Sequence, residues 1–299
     1  MQALWMVFAS FFFATMGVGV KFASAQFNVY EIVFYRGLIG VIFMALVMRQ
    51  RRISAMTTVP WMHVWRSVIG VFSLLCWFYA IANLPLATAM TLNYMSGVWV
   101  AAFVVGSAVF YSFGDASKSQ GALVMTVLCG FAGVVLTLRP TIEQNQLFAG
   151  VLGLLSGIAA ALAYMQVAML ARAGEPEERT VLYFGVGSAI AGAIGMAIYG
   201  VSGMAAWQTT AAWWLLPIGI LATLGQWGMT RAYSKGGTLV VASLQYSGIV
   251  FASIYSIILF DDAISPIGWL GIVVIVMSGL AATALRAHAA VPLKQADEH

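Results

Sequence analysis

The sequence carries one short polar pattern twice, as Thr91-Leu92-Asn93-Tyr94 and again as Ser243-Leu244-Gln245-Tyr246. Ala80 and Ala232 precede the two copies at the same offset, so the match extends beyond four residues. Each copy lies in a hydrophobic segment, and an odd number of predicted membrane spans separates them. The second copy therefore crosses the bilayer in the opposite direction. Inverted repeats of this kind form the central binding sites of many secondary transporters, so the pattern favours membrane transport.

The composition is that of an integral membrane protein. Hydrophobic residues make up 62% of the chain and charged residues 8%, and the mean hydropathy is +0.93. Soluble domains carry about 25% charged residues, so this chain has too little polar surface to stay dissolved. Ten segments are long and apolar enough to span a bilayer as helices. They lie at roughly 3–21, 31–48, 66–83, 86–111, 120–138, 149–171, 181–200, 212–233, 238–260 and 266–285.

The predicted fold is an all-α integral membrane protein whose ten transmembrane helices form two inverted five-helix repeats. A polar connection near residues 139–148 separates the two halves. We predict the first repeat over residues 1–139, the second over 149–286, and a polar cytoplasmic tail over 287–299.

Basic residues predict the orientation in the membrane. With a cytoplasmic N-terminus, eleven of the fourteen Lys and Arg residues, Arg66 among them, lie on the cytoplasmic side. Lys21, Arg36 and Arg139 lie on the other side. This positive-inside bias predicts a multi-pass inner-membrane protein with both termini in the cytoplasm. Topology therefore explains the net charge of +4, and no nucleic-acid partner is predicted.

The first segment resembles a signal peptide in one respect, because Ala23-Ser24-Ala25 looks like a cleavage site. However, the segment lacks a basic start and its apolar run is long for a signal sequence. Its removal also breaks the division into five plus five spans. We therefore expect a retained first helix.

Cysteine and histidine give no sign of a metal site. Cys76 and Cys129 both fall inside predicted spans, which favours buried free thiols, although the sequence leaves a disulfide open. His63 falls in a predicted loop, and His288 and His299 lie toward the tail, without the spacing of metal ligands. Neither a metal nor a cofactor is predicted.

Five short strings connect the chain to a known family. They are Phe34-Tyr35-Arg36, Phe78-Tyr79-Ala80, Leu138-Arg139-Pro140, Thr230-Arg231-Ala232-Tyr233 and Phe260-Asp261-Asp262. Together with the ten-span layout, they resemble the EamA-type members of the drug/metabolite transporter superfamily over nearly the whole chain. The resemblance implies transport of small metabolites or amino-acid-like compounds, with export favoured over uptake. That family commonly has a proline where this chain has Ser96-Gly97, so a kink in the fourth helix stays open.

Asn93 and Gln245 are the best candidates for substrate-binding side chains. They are copies of one another, and each lies about a third of the way into its predicted span from opposite membrane faces. Both are therefore expected to border a central cavity and to offer a donor and an acceptor. Hydrogen bonding between helices is the alternative role, worth about 0.6 kcal/mol per bond. Tyr94 and Tyr246 beside them are further candidates, with a structural role equally open.

Two arginines are predicted to lie near the same cavity. Arg36 lies inside the second span, about 140° around the helix from Glu31, so the two do not pair; snorkelling to the outer interface is its alternative. Arg231 lies near the end of the eighth span, where Trp227, four residues earlier, is placed for a cation–π contact. Gln226 beside them completes the predicted site.

Neither arginine has a basic counterpart in the other half, where Ser188 and Tyr79 stand at the matching positions. All ten acidic residues fall at helix ends, in loops or in the tail, so no relay on a central carboxylate is predicted. Without intramembrane acids, the arginines favour a ligand that carries a carboxylate or a phosphate. The spans also lack a Ser/His/Asp set, paired aspartates and a zinc motif, which argues against an enzyme.

The sequence thus predicts a secondary transporter of small carboxylate-bearing or zwitterionic metabolites that works by alternating access. Uptake of a nucleoside-like metabolite such as S-adenosylmethionine is the alternative within transport, because aromatic stacking and amide contacts suit an adenine equally well. A membrane enzyme or a non-transporting assembly factor is the alternative from another class. The expected partners are the small-molecule substrate and the lipid bilayer, and a homodimer is possible.

Overall fold

The chain is built from helices throughout the part that the structure describes. The computed structural model describes residues 4–100, 102–103, 146–235, 241, 244–261 and 265–290, together with 125, 129, 132, 133 and 136. The helices are α1 (Trp5–Ala23), α2 (Val29–Arg51), α3 (Pro60–Asn83), α4 (Leu86–Tyr94), α5 (Leu147–Arg172), α6 (Glu177–Tyr199), α7 (Met204–Trp207), α8 (Thr210–Trp213), α9 (Leu215–Lys235), α10 (Ser247–Phe260) and α11 (Pro266–Ala290). The predicted all-α class is confirmed for these residues.

Five helices, α1, α2, α3, α5 and α6, are long and apolar enough to cross a membrane. Large apolar side chains cover the outside of the bundle, for example Ile42, Ile194 and Ile258, which are all exposed. A continuous apolar exterior of this kind needs lipid around it, because water would not solvate it.

Helix ends follow local sequence signals. Asn28 caps α2 by accepting a hydrogen bond from the backbone of Glu31, whose carboxylate in turn accepts from the backbone of Asn28. Helix α3 begins at Pro60, in the first-turn position where proline is well tolerated. The start is six residues before the predicted residue 66, so His63 lies in a helix, and the prediction of a loop there was wrong.

Two further boundaries differ from the predicted spans. The eighth span, predicted at 212–233, is preceded by the separate turn α8, and its helix α9 runs from Leu215 to Lys235. Helix α11 continues to Ala290, beyond the predicted end of the second repeat at residue 286. Most of the fifth span at 120–138, the fourth span beyond residue 103, the connection up to residue 145 and the tail from 291 lie outside the described residues.

The two halves of the chain pack helix against helix. Helix α1 packs against α9, α2 against α6, α3 against α5, and α4 against α10. The contact between α2 and α6 is close because of glycines: a Cβ atom added at Gly37 would lie 2.5 Å from the backbone nitrogen of Ala189, and one at Gly192 would lie 2.6 Å from that of Phe34. Helix α1 thus packs against helices of both halves of the bundle.

The bundle has two ends, which we name after residues that lie there. At the Arg51 face, α2, α5 and α9 end, and α3 and α6 begin. At the Asn28 face, α1, α3 and α6 end, and α2 begins. This up-and-down course follows from the short connections between consecutive helices.

Cys76 and Cys129 are both free, as predicted, but Cys129 is exposed, so the prediction that both thiols are buried was wrong for Cys129. Cys76 is buried in α3.

Candidate functional site

A cavity lies in the middle of the bundle, between helices of both halves. Its volume is about 40 Å³, room for a few water molecules and well below that of a typical small-molecule site. The walls are largely apolar and aromatic, with a few polar groups among them. The lining residues are Phe13, Arg36, Arg66, Gly70, Ser73, Leu74, Trp77, Asn93, Tyr94, Ala160, Ala163, Tyr164, Phe184, Gln226 and Met229.

Arg36 points into this cavity. Its side chain is buried, its Nη1 donates to the hydroxyl of Ser188 at 3.4 Å, and its guanidinium carbon lies 5.1 Å from the ring centre of Phe184. Glu31 does not pair with it, as predicted, because that carboxylate caps α2 and accepts from Ser202. The structure therefore places Arg36 at the cavity and not at the outer interface.

Arg66 is the site residue that the sequence analysis missed. It was assigned to the cytoplasmic end of its span, but it is 2% exposed and lines the cavity. Because α3 begins at Pro60, Arg66 lies more than one turn inside the helix. Its Nη1 packs against Gly70, four residues further along α3, where a Cβ atom would collide with it. The side chain thus extends away from the Arg51 face instead of snorkelling toward it.

The two guanidinium groups share one aromatic ring and have no acidic partner among the described residues. The guanidinium carbon of Arg66 lies 4.3 Å from the centre of Phe184, so it is less than about 9.4 Å, the sum of the two ring distances, from that of Arg36. At this separation two positive charges repel by at least about 2 kcal/mol in a protein interior. Nε of Arg36, and Nε and Nη1 of Arg66, have no hydrogen-bond partner. Such a site is short of negative charge.

The two repeated amides have different surroundings. Asn93 lines the cavity and donates to the hydroxyl of Ser156 at 3.0 Å. Gln245 is fully buried, donates to Ser96 at 2.9 Å and accepts from the hydroxyl of Tyr233 at 3.4 Å. It is not among the residues that line the cavity. The structure therefore brings Asn93 to the cavity and gives Gln245 the contacts of a residue that joins helices.

A turn lies within two residues of each of the two repeated amides. Helix α4 ends at Tyr94, and helical structure resumes at Ser96 after a turn at Met95. Gln245 and Tyr246 form a turn immediately before α10. Met95 itself keeps a helical backbone conformation, with φ −58° and ψ −11°. Broken helices expose backbone groups near a binding site, and they often occur in corresponding positions of the two halves of a transporter.

The remaining candidates divide between the cavity and its surroundings. Tyr94 and Gln226 line the cavity, and Nε2 of Gln226 has no hydrogen-bond partner. The ring of Tyr94 also packs against Gly248 of α10, where it fills the space of a side chain. Tyr246 is buried but does not line the cavity.

Comparison with known proteins decides what kind of molecule this is. A model of the EamA-like transporter family matches residues 1–139. The pseudopaline exporter CntI of Pseudomonas aeruginosa strain UCBPP-PA14 is 32% identical over 277 residues, which cover 92% of this chain and 93% of the exporter. The chain belongs to the EamA-like transporter family. It is a multi-pass membrane transporter, and the predicted resemblance is confirmed.

Other relatives of this EamA-like transporter agree. An uncharacterized transporter of Helicobacter pylori strain J99 is 27% identical over 278 residues, covering 91% of each chain. One solved crystal structure of a protein matches the fold with a TM-score of 0.68 at 16% identity, over 97% of this chain and 98% of the other.

In this EamA-like transporter Arg231 and Trp227 do not form the predicted pair. The guanidinium carbon of Arg231 lies 5.0 Å from the ring centre of Trp5, and its Nη1 is 3.7 Å from the carboxylate of Glu177. The guanidinium carbon of Arg51 instead lies 4.9 Å from the ring centre of Trp227. The four-residue spacing places Trp227 and Arg231 near one another on α9. However, Arg231 contacts Trp5 of α1, and Trp227 contacts Arg51 of α2. The structure places Arg231 at the Arg51 face, away from the cavity lining.

Polar contacts close the Arg51 face below the cavity. Glu175, in the connection between α5 and α6, accepts from His63 at 3.0 Å, Thr57 at 2.8 Å and Arg179 at 3.0 Å. Burial raises the pKa of Glu175, but the hydrogen bonds from these three residues and the charge of Arg179 outweigh it, so the pKa lies below its ordinary value. Arg51 adds an ion pair with Glu178 at 2.7 Å.

Glu175→Gln is expected to destabilise the transporter by about 1–3 kcal/mol, because the amide keeps the shape but loses the charge that these donors stabilise. Since the folded pKa is depressed, the stabilisation is present above the unfolded pKa and is lost as the pH falls through the folded pKa. Thermal unfolding in detergent over an acidic pH series should therefore show a shallower loss of Tm for the variant. Glu177→Gln, which removes contacts to the partly exposed Arg231 and Lys235, is the control with the smaller effect. Equal pH slopes in wild type and Glu175→Gln would contradict this assignment.

Proposed function

We propose that the protein is an inner-membrane exporter of small carboxylate-bearing metabolites, which it binds in the central cavity and releases by alternating access. The observation that carries this proposal is the pair Arg36 and Arg66, both buried, both at the cavity and neither with an acidic partner among the described residues. Guanidinium groups bind carboxylates with two parallel hydrogen bonds. Free N–H groups on both arginines are available for this.

Two inverted five-helix repeats, over residues 1–139 and 149–286, would provide the moving parts. Arg36 and Ser188 are 152 residues apart, as are Asn93 and Gln245, and Gly37 and Ala189 are separated by the same number. Arg36 contacts Ser188, and Gly37 lies against Ala189. Contacts between corresponding residues are expected along a two-fold axis that relates two repeats. The same shift of 152 residues relates α1 to α5 and α3 to α9. The contact between α1 and α9 therefore corresponds to the contact between α5 and α3.

The direction of transport rests on relatives. Two of them, from two strains of Pseudomonas aeruginosa, are named as exporters of pseudopaline. We propose export for this chain as well, by binding and release without covalent chemistry. Uptake of S-adenosylmethionine is a poorer fit, because a ligand with a cationic sulfonium would meet two more positive charges in the cavity.

We propose that the Arg51 face is cytoplasmic, with both termini on that side, because most basic residues lie there. Met56 and Met204 are 82% and 83% exposed and lie at the Arg51 and Asn28 faces. In a background without Cys76 and Cys129, an impermeant thiol reagent should label Met204→Cys in intact cells, and Met56→Cys only after the membrane is opened. Labelling of Met56→Cys from outside would refute the orientation.

Export can be tested by comparing the spent medium of cells that express the wild type with cells that express the double variant Arg36→Gln/Arg66→Gln. We expect carboxylate-bearing metabolites to accumulate outside only with the wild type. Arg49→Gln, which changes an exposed arginine on α2, is the matched control and should behave as the wild type. If no carboxylate-bearing compound distinguishes the wild type from the double variant, the proposal is wrong.

The two repeated amides are expected to separate in function. Asn93→Ala should weaken ligand binding about three- to tenfold, the value of one hydrogen bond, because its side chain lines the cavity. Gln245→Ala should lower Tm and leave affinity unchanged, because its partners are Ser96 and Tyr233. Titration of the purified variants with the exported compound, alongside their unfolding curves, measures both effects. A loss of affinity in Gln245→Ala at unchanged Tm would show that it contacts the ligand.

A further inference from the structure

We infer that the ligand enters the cavity as a dianion, with one negative charge for Arg36 and one for Arg66. This inference rests on the proposed function and narrows its substrate class. A ligand with one carboxylate and one ammonium group, the form of a simple amino acid, would leave the positive charge of the cavity uncompensated.

The first support is the distribution of free donors. One unpartnered N–H nitrogen belongs to Arg36 and two belong to Arg66, so the unused hydrogen-bonding capacity is divided between two separate groups. Both guanidinium groups lie over Phe184, at 5.1 and 4.3 Å from its centre, and are thus held at fixed places around one ring. Two fixed cationic groups complement two acceptors better than one.

The second support is that no acidic side chain among the described residues lines the cavity. The described carboxylates lie at the helix ends and in the connections, at Glu31, Glu175, Glu177, Glu178 and Asp261. None of them lines the central cavity, so an ammonium group on the ligand would find no counter-charge there. This combination selects for negative charge and against zwitterions.

The third support is the direction in which the Arg66 side chain extends. A guanidinium near the end of a membrane helix can reach the interface at little cost by extending toward it. Arg66 does the opposite and packs along α3 over Gly70, in the direction of the cavity. A second buried positive charge beside Arg36 is costly, and a ligand with a matching negative charge would offset that cost.

The remaining wall indicates the body of the ligand. Phe13, Leu74, Trp77 and Met229 line the same cavity and offer no charge. They suit a short aliphatic or aromatic skeleton between or beside the anionic groups. Two carboxylates on one skeleton and a single doubly charged phosphate share the required chemistry.

The test is thermal stabilisation of the purified protein at constant ionic strength by four probes: glutarate, its monoamide, inorganic phosphate and glycine. We expect glutarate to stabilise at concentrations about 10- to 100-fold lower than its monoamide, the usual effect of one buried charge pair. The preference should disappear in Arg66→Gln and persist in Arg49→Gln. Size-exclusion chromatography of Arg66→Gln establishes that the variant is folded.

Stabilisation by phosphate and not by glutarate would indicate that both negative charges of the ligand belong to a single phosphate-like group. If glutarate stabilises the protein no better than its monoamide or glycine does, the inference of a dianionic ligand is wrong. The proposed export of carboxylates would be unaffected by that result. Stabilisation by none of the four would overturn the dianion, and the spent-medium comparison then decides separately on the export of carboxylates.

Discussion

Arg66→Gln is expected to reduce the affinity of the cavity for its carboxylate ligand by about 30-fold or more, since a buried charge pair that loses one partner costs about 2 kcal/mol or more. The substitution keeps hydrogen-bonding capacity and approximate size, so the loss reports the charge. Because the two arginines repel one another when the cavity is empty, the same variant should be at least as stable as the wild type without ligand. Titration of the purified variant with the exported compound, together with its unfolding curve, measures both quantities.

The conservative variant makes this prediction sharper. Arg66→Lys keeps the charge but loses the planar donor geometry, so its affinity should lie between those of wild type and Arg66→Gln. A structural role for Arg66 would instead lower Tm in both variants without this order of affinities. An unchanged affinity in Arg66→Gln would remove Arg66 from the site.

Gly37→Leu is expected to destabilise the bundle by about 3 kcal/mol or more, the upper end of the cost of overpacking. An added Cβ at Gly37 would lie 2.5 Å from the backbone nitrogen of Ala189 and 2.8 Å from the carbonyl oxygen of Gly185. Backbone atoms cannot rotate away as a side chain can, so α2 and α6 would have to separate. Thermal unfolding and the monodisperse fraction after purification measure the effect.

The smaller variant Gly37→Ala compares the gain in helix propensity with the cost of the collision with α6. Alanine gains about 1 kcal/mol of helix propensity over glycine, whereas the collision with α6 costs about 1–3 kcal/mol, so the net effect should be a loss of stability. Gly203 is the matched control, because it has open space around it and an ordinary φ of −66°. Gly203→Leu should therefore leave Tm nearly unchanged. A stabilised Gly37→Ala would show that α2 and α6 are not in close contact.

The fold class and part of the cavity could be predicted from the sequence because local signals determine them. Hydropathy identifies long apolar helices, and the repeated pattern around Asn93 marks the place where α4 is interrupted beside the cavity. Arg36 was also found, because an arginine several residues inside an apolar span has few explanations other than a buried role or snorkelling.

Arg66 was missed for two physical reasons. Hydropathy places the start of the third span at residue 66, whereas the helix starts at Pro60, and its first turns contain Trp61, His63 and Trp65. In addition, the direction of a long side chain depends on the neighbouring helix. Phe184 of α6, more than a hundred residues away in the chain, supplies the ring over which Arg66 lies. The spacing of Arg66 and Gly70 was the local signal, but a single glycine four residues away is too common to be specific.

Arg231 and Gln245 show the opposite case, in which a repeated or regular local pattern did not predict the surroundings of the side chain. The spacing of Trp227 and Arg231 allows a contact, but Trp5 and Arg51 come from other helices to take these positions. The symmetry of Asn93 and Gln245 predicts equal placement, but the lining of the cavity is asymmetric because both central arginines belong to the first half. Local sequence patterns do not predict which side chain from a distant segment will occupy such a position.

Release of the exported compound from proteoliposomes that contain the purified protein tests the central claim most directly. The vesicles are loaded with the carboxylate most enriched in the spent medium of wild-type cells, and its release is followed over time for the wild type, Arg49→Gln and the double variant Arg36→Gln/Arg66→Gln. The wild type and Arg49→Gln are predicted to release the compound much faster than empty vesicles, and the double variant no faster than empty vesicles. Release by the double variant at the wild-type rate would contradict the claim that the two buried arginines bind the transported carboxylate.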